Sequence, residues 1–152
     1  MNKFWPSVLE GFARNLVAII SLCVAISAVV LSVERSNRSE YQHNIRDASF
    51  RVLAELSQLQ LLVDNAHYGR VEVNPIAGWA RVNYMRDLAS VIPEPVPSSL
   101  EQLFESWQVQ VEYLGIRQSE EERSSSLKAN EKISSSIAEA RNAIREVLLS
   151  LE

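Results

Sequence analysis

The sequence predicts an all-α protein, with an N-terminal transmembrane helix continuing into a helical bundle or coiled-coil domain. Three observations carry this. Residues 16–33 contain no charged side chain. Glycine is scarce, with four in 152 residues, so helix-breaking positions are far apart. Beyond Val33 the apolar residues recur at steps of three and four, the period of a helix that buries one stripe.

The first element is residues 16–33, preceded by a short tail, 1–15. As a helix the segment spans about 27 Å at ~1.5 Å per residue, close to the hydrocarbon thickness of a bilayer. Arg14 flanks one end and Glu34-Arg35 the other, while Phe4, Trp5, Phe12 and Tyr41 suit the two interfaces. A buried core helix is rarely uncharged on every side for so many turns. A cleaved signal peptide has a shorter apolar core and a small-x-small exit, and Val33-Glu34-Arg35 is a poor one. Leu22 directly before Cys23 does not suit lipoprotein processing. An uncleaved anchor in a cell (inner) membrane is therefore expected. Lys and Arg near the two ends do not separate the orientations. The short tail favours an extracytoplasmic C-terminal domain. Ala18, Ser21, Ala25, Ala28 and Ser32 follow steps of 3, 4, 3 and 4. They form a seam of small residues that lets a second helix approach closely in lipid.

The soluble domain, 34–152, is expected to hold four helices. The first, about 34–68, has the stripe Tyr41, Ile45, Ala48, Val52, Leu56, Leu59, Val63 and Ala66, widened by Leu53, Leu61 and Leu62. Neither Gly nor Pro interrupts 16–68, so anchor and helix can form one rod, with polar residues 35–39 as a point of flexure. Gly69 reads as a stop, and 71–78 as a loop broken by Asn74-Pro75 and Gly78. A short second helix, about 79–92, carries Val82, Met85, Ala89 and Ile92. Pro93, Pro95 and Pro97 then predict an extended connector. Ser98-x-x-Glu101 reads as a capping box that opens a third helix, 99–116 or longer, with Leu100, Leu103, Phe104, Trp107, Val111 and Leu114 inward. Residues 117–126 are wholly non-apolar, either a solvated helix surface or a turn near Ser124-Ser125-Ser126. The last helix, about 127–151, has the stripe Ile133, Ile137, Ala140, Ile144, Leu148 and Leu151, with Arg141, Arg145, Glu139 and Glu146 on an outer face.

Composition excludes several functions. The net charge is −4, and residues 1–33 contribute only Lys3, Glu10 and Arg14, so the domain is acidic. It lacks the basic footprint that nucleic acid requires. The single cysteine lies in the apolar segment, so no intrachain disulfide forms. His43 with Asp47, and His67 with Asp64 and Glu72, lack the paired-histidine spacing of a metal site, and His67 suits the end of a helix dipole. Glu120-Glu121-Glu122 lacks the alternating ligands and glycine of a calcium loop. There is no G-x-S-x-G motif and no phosphate-binding glycine loop. No cofactor or catalytic residue is expected.

The expected function is therefore non-enzymatic. The chain would act through protein–protein contact, as an accessory subunit or oligomeric component of an envelope complex, with membrane lipid, other envelope proteins or itself as partners. A candidate for a ligand or partner face is Trp79, Arg81, Tyr84, Arg86 and Trp107, in which Tyr84 and the two arginines would serve as handles for an anion. The order of short tail, membrane helix and helical domain resembles the extracytoplasmic four-helix modules of bacterial chemoreceptors. That resemblance implies a ligand sensor. Chemoreceptors return through a second membrane helix and this sequence ends at Glu152, so the signal would pass through a partner. The same order is similar to that of phage inner-membrane spanins, which implies a lysis protein with a periplasmic coiled coil.

Overall fold

The computed structural model describes residues 5–68, 74–115 and 119–151, with side chains from residue 15 onward except at 17. Among these residues there are four α-helices, one short 3-10 turn and no strand. The helices are α1 (Trp5–His67), α2 (Pro75–Ala89), α3 (Val96–Gln110) and α4 (Glu120–Ser150), with the 3-10 turn at Val111–Tyr113. The chain divides into two units, one up to Tyr41 and one from Gln42 onward.

In the first unit, α1 begins at Trp5, ahead of the expected tail boundary, with Pro6 in the first turn. Proline is tolerated there because the first N–H groups of a helix have no intrahelical acceptor. This unit holds a helix long and apolar enough to cross a membrane, and none of that window is buried within the protein. Residues 35–39, expected as a point of flexure, are helical.

The second unit is a four-helix bundle whose helix directions follow from its cross-contacts. Arg46 reaches the Leu151 carbonyl, Arg141 reaches Ser57, Gln60 reaches Ser134 and His67 meets Ser126. The pairing runs backward along α4 as it runs forward along α1, so these helices are antiparallel. Arg81 pairs with Glu55, and Tyr84 with Arg51, which sets α2 antiparallel to α1. Arg86 binds Glu101, and Trp79 meets Phe104 and Trp107, which sets α3 antiparallel to α2. The chain therefore runs up, down, up and down, as short connections between bundle helices require.

The core takes one stripe from each helix. On α1 it is Ile45, Ala48, Val52, Leu56, Leu59, Val63 and Ala66, and Tyr41 from the expected stripe is exposed instead. Val82, Met85, Ala89 and Ile92 come from α2 and the turn after it; Leu100, Leu103, Trp107, Val111 and Leu114 from α3 and the 3-10 turn. Ile133, Ile137, Ala140 and Ile144 are buried on α4, with Leu148 and Leu151 packed at its edge.

Three helix starts differ from the sequence reading. Residues 74–78 were expected in a loop, yet α2 begins at Pro75, where Ala77 N donates to Asn74 Oδ1 at 3.2 Å. Asn-Pro here is a cap followed by a first-turn proline, not a breaker. Gly78 is helical and buried against Trp107. A Cβ at this position would fall within the ring atoms Cζ2 and Cη2 of Trp107. Ser98 does not cap α3, which starts at Val96 with Pro97 in its first turn. Glu94 Oε2 takes the Ser98 N–H at 3.3 Å, and Glu101 turns to Arg86. The connector is correspondingly shorter than the three prolines suggested, with a cis Glu94–Pro95 bond. The capping box lies at α4 instead, where Glu122 N donates to Ser119 Oγ at 3.2 Å and Ser119 N to Glu122 Oε2 at 3.3 Å. Residues 120–126 are therefore helical, and the hairpin turn comes before them, with Gly115 at φ 119°. The helical run of α3 stops at 110, short of the expected 116; residue 116 itself, the Gly69 stop and 71–73 lie outside the described residues.

Gly78→Ala is expected to cost about 1–3 kcal/mol by overpacking against Trp107. Chemical denaturation of Gly78→Ala with and without Trp107→Leu checks it, since the double variant should recover part of the loss. Ser119→Ala should cost about 1 kcal/mol and Ser98→Ala a few tenths at most. Equal losses in melts of the two variants would contradict the capping assignments.

Candidate functional site

The lipid-facing candidate lies on the first unit. Ala18, Ser21, Ala25, Ala28 and Ser32 are all exposed on the helix, as are the large residues between them, Ile19, Leu22, Val24 and Ile26 among these. Alanine and serine add little bulk beyond the backbone, so a partner helix can approach most closely along their line. Ser27 lies off that line and donates to the Cys23 carbonyl at 2.8 Å, so its hydroxyl is satisfied within the helix. A shallow apolar groove beside the seam is lined by Ala25, Ile26, Val29 and Val30. The chemistry available here is dispersion contact and close helix packing.

The second candidate divides into two. Trp79, Arg86 and Trp107 lie between α2 and α3. Trp107 is fully buried, and Trp79 stands edge-on to it at 6.5 Å and to Phe104 at 5.5 Å. Arg86 lies over the Phe104 ring at 4.0 Å and binds Glu101 through both carboxylate oxygens, at 2.8 and 3.2 Å. Arg81 and Tyr84 instead face α1. Arg81 pairs with Glu55 at 2.6 Å, half-buried. Tyr84 lies beside Arg51, and together with Asp47 at 3.0 Å it holds that guanidinium charged, above its ordinary range.

The five residues expected to share one face thus serve two helix interfaces, and both arginines already have carboxylate partners. An anion would have to displace Glu55 or Glu101, whose charge-assisted bonds are stronger than neutral ones. The groove at this end, lined by Asn83, Arg86, Asp87, Ser90, Pro97 and Glu101 among others, is open to solvent. Trp107 Nε1 is buried without a hydrogen-bond partner among the described residues.

Among the described residues no group of three or more His, Cys, Asp or Glu is arranged to hold a metal. His67 Nδ1 lies 3.1 Å from Ser126 Oγ, and the ring stacks edge-on with Tyr68 at 4.6 Å. Glu72, considered beside His67 in the sequence, lies outside the described residues. His43 is exposed.

Sequence reasoning missed a polar seam between α1 and α4. Gln60 Nε2 donates to Asp64 Oδ1 at 2.9 Å and to Ser134 Oγ at 2.8 Å, and Asn130 Nδ2 reaches the Val63 carbonyl and Asp64 Oδ1 at 3.4 Å. A signal for it exists. Extending the α4 stripe backward from Ile133 by three, four and seven residues lands on Asn130, Ala129 and Ser126, and all are buried.

Comparison with family models, curated proteins and solved structures finds no match to the chain.

Trp107→Ala is expected to destabilise the bundle by about 3–5 kcal/mol, as large-to-small core changes do. Trp79→Ala should cost markedly less, because that ring is only partly buried. Urea midpoints of the two variants provide the check, and the reverse order would refute the packing described.

Proposed function

We propose that the chain is a non-enzymatic, single-pass membrane protein that acts through protein–protein contact, as an accessory subunit or an oligomeric component of an envelope complex. One observation carries the reading. The apolar half of α1 leaves its side chains exposed along its length, while the bundle buries an apolar core of its own. An uncharged helix of this length needs lipid around it, and its seam of small residues suits a second helix. The short tail favours placing the bundle outside the cytoplasm.

Two other readings have less support. A ligand sensor needs polar groups that converge on a cavity, and the candidate arginines are instead spent on Glu55 and Glu101. A spanin-like lysis protein calls for an extended coiled coil, whereas the heptad stripes here are consumed by an antiparallel bundle.

Ala25→Ile with Ala28→Ile should fill the seam and lower the oligomer fraction at least several-fold. The check is light scattering in detergent. Ile19→Leu, on the face of the helix away from the seam, serves as control and should leave assembly unchanged. A wild-type protein that is strictly monomeric and co-purifies with no other membrane protein would sink the proposal.

A further inference from the structure

The core is not uniform along the α1–α4 pair. Toward the C-terminal end of α4 it is built of Ile45, Val52, Leu56, Ile137 and Ile144, with Leu100, Leu103 and Trp107 adding bulk from α3. Toward the start of α4 the buried positions on this pair are Val63, Ala66, Ser126, Ala129 and Asn130, and the 3-10 turn after α3 adds only Val111 and Leu114. Ser126 is 2% exposed and Asn130 5%, so small and polar side chains stand at true core positions. Each aliphatic replaced by Ala, Ser or Asn removes apolar burial, which contributes roughly 25 cal/mol per Å².

Hydrogen bonds carry a larger share of the α1–α4 contact at that end. Asn130 reaches Val63 and Asp64, Gln60 reaches Asp64 and Ser134, and His67 meets Ser126. Water can replace such bonds at small net cost, because the protein–protein bond only exchanges with protein–water bonds. The apolar end has no comparable substitute, since water does not solvate Ile or Leu favourably. Residues 120–124, the opening turn of α4, are exposed. Its N-terminus also closes on itself through the Ser119–Glu122 capping box. The segment can therefore leave α1 and keep its own terminus satisfied.

We infer that this end of the α1–α4 pair is a built-in opening point, at which residues 60–67 and 120–130 part in a local transition while the aliphatic end of the bundle stays closed. Parting exposes Val63, Ala66 and Ala129, a small apolar strip, beside the polar groups of the seam. Local openings of this kind have free energies below that of global unfolding, and they are where regulated contacts are placed. The inference does not depend on the membrane seam or on any partner proposed above.

Hydrogen exchange read by mass spectrometry on the full-length protein in detergent micelles tests this. Peptides covering 60–67 and 120–130 should exchange together, at least about tenfold faster than peptides covering 137–147. Asn130→Leu replaces the polar contact by apolar burial and leaves Asp64 its bond from Gln60. It should slow exchange in 120–130 several-fold and leave 137–147 unchanged. Equal protection of the two ends in the wild-type protein overturns the inference. So does faster exchange of 120–130 in a folded Asn130→Leu. If that variant does not fold, the wild-type comparison decides alone.

Discussion

Each helix of the bundle carries one apolar stripe, and the four stripes must cover one another. This requirement sets the up-and-down order, because short connections allow a neighbour to pack only by reversing direction. It also explains why Trp107 is central. Its indole fills the space between α2 and α3, and α2 admits it only by having no side chain at Gly78. Trp79 and Phe104 then close edge-on around the ring, and Arg86 lies over Phe104. The α2–α3 hairpin is thus organised around one aromatic side chain and one missing Cβ.

The polar contacts follow from that packing. Once α2 lies against α1 and α3, Arg81 and Arg86 find Glu55 and Glu101 at the edges of two interfaces. Exposed pairs of this kind contribute up to about 1 kcal/mol each, so they select registers more than they stabilise the fold. The bonds between α1 and α4 have a similar consequence. The aliphatic stripes of these helices are repetitive, and a slip of one heptad would still bring aliphatic residues together. Arg46 on Leu151, Arg141 on Ser57, Gln60 on Ser134 and Asn130 on Val63 fit one alignment only.

Much of the fold was legible in the sequence because helical periodicity is a local property. The stripes of α1, α2 and α3 consist almost entirely of residues that are buried, and the uncharged 16–33 segment stands out without any structure. The errors fell at helix ends. Asn74-Pro75 and Pro97 were read as breakers, although proline in a first turn costs nothing. Of the Ser-x-x-Glu patterns at Ser98 and Ser119, only the second is a capping box. At the first, Glu101 has a better partner in Arg86, which lies fifteen residues away in sequence. No local pattern shows that competition.

The sequence by itself determined the class of the protein: an apolar helix able to cross a membrane, followed by helices with one wet face and one dry. Composition and period suffice for this because they act over a few neighbouring residues. The tertiary structure decided which charges are free and which positions tolerate no side chain. Arg81, Tyr84 and Arg86 look like one anion-binding group in the sequence, yet α2 turns them toward two different helices. Gly78 looks like a breaker and is the seat of Trp107. Ser126 closes a stretch that reads as solvated in the sequence and lies in the core. Each of these outcomes depends on what another helix brings alongside, and sequence spacing carries no information about a neighbour seventy residues away.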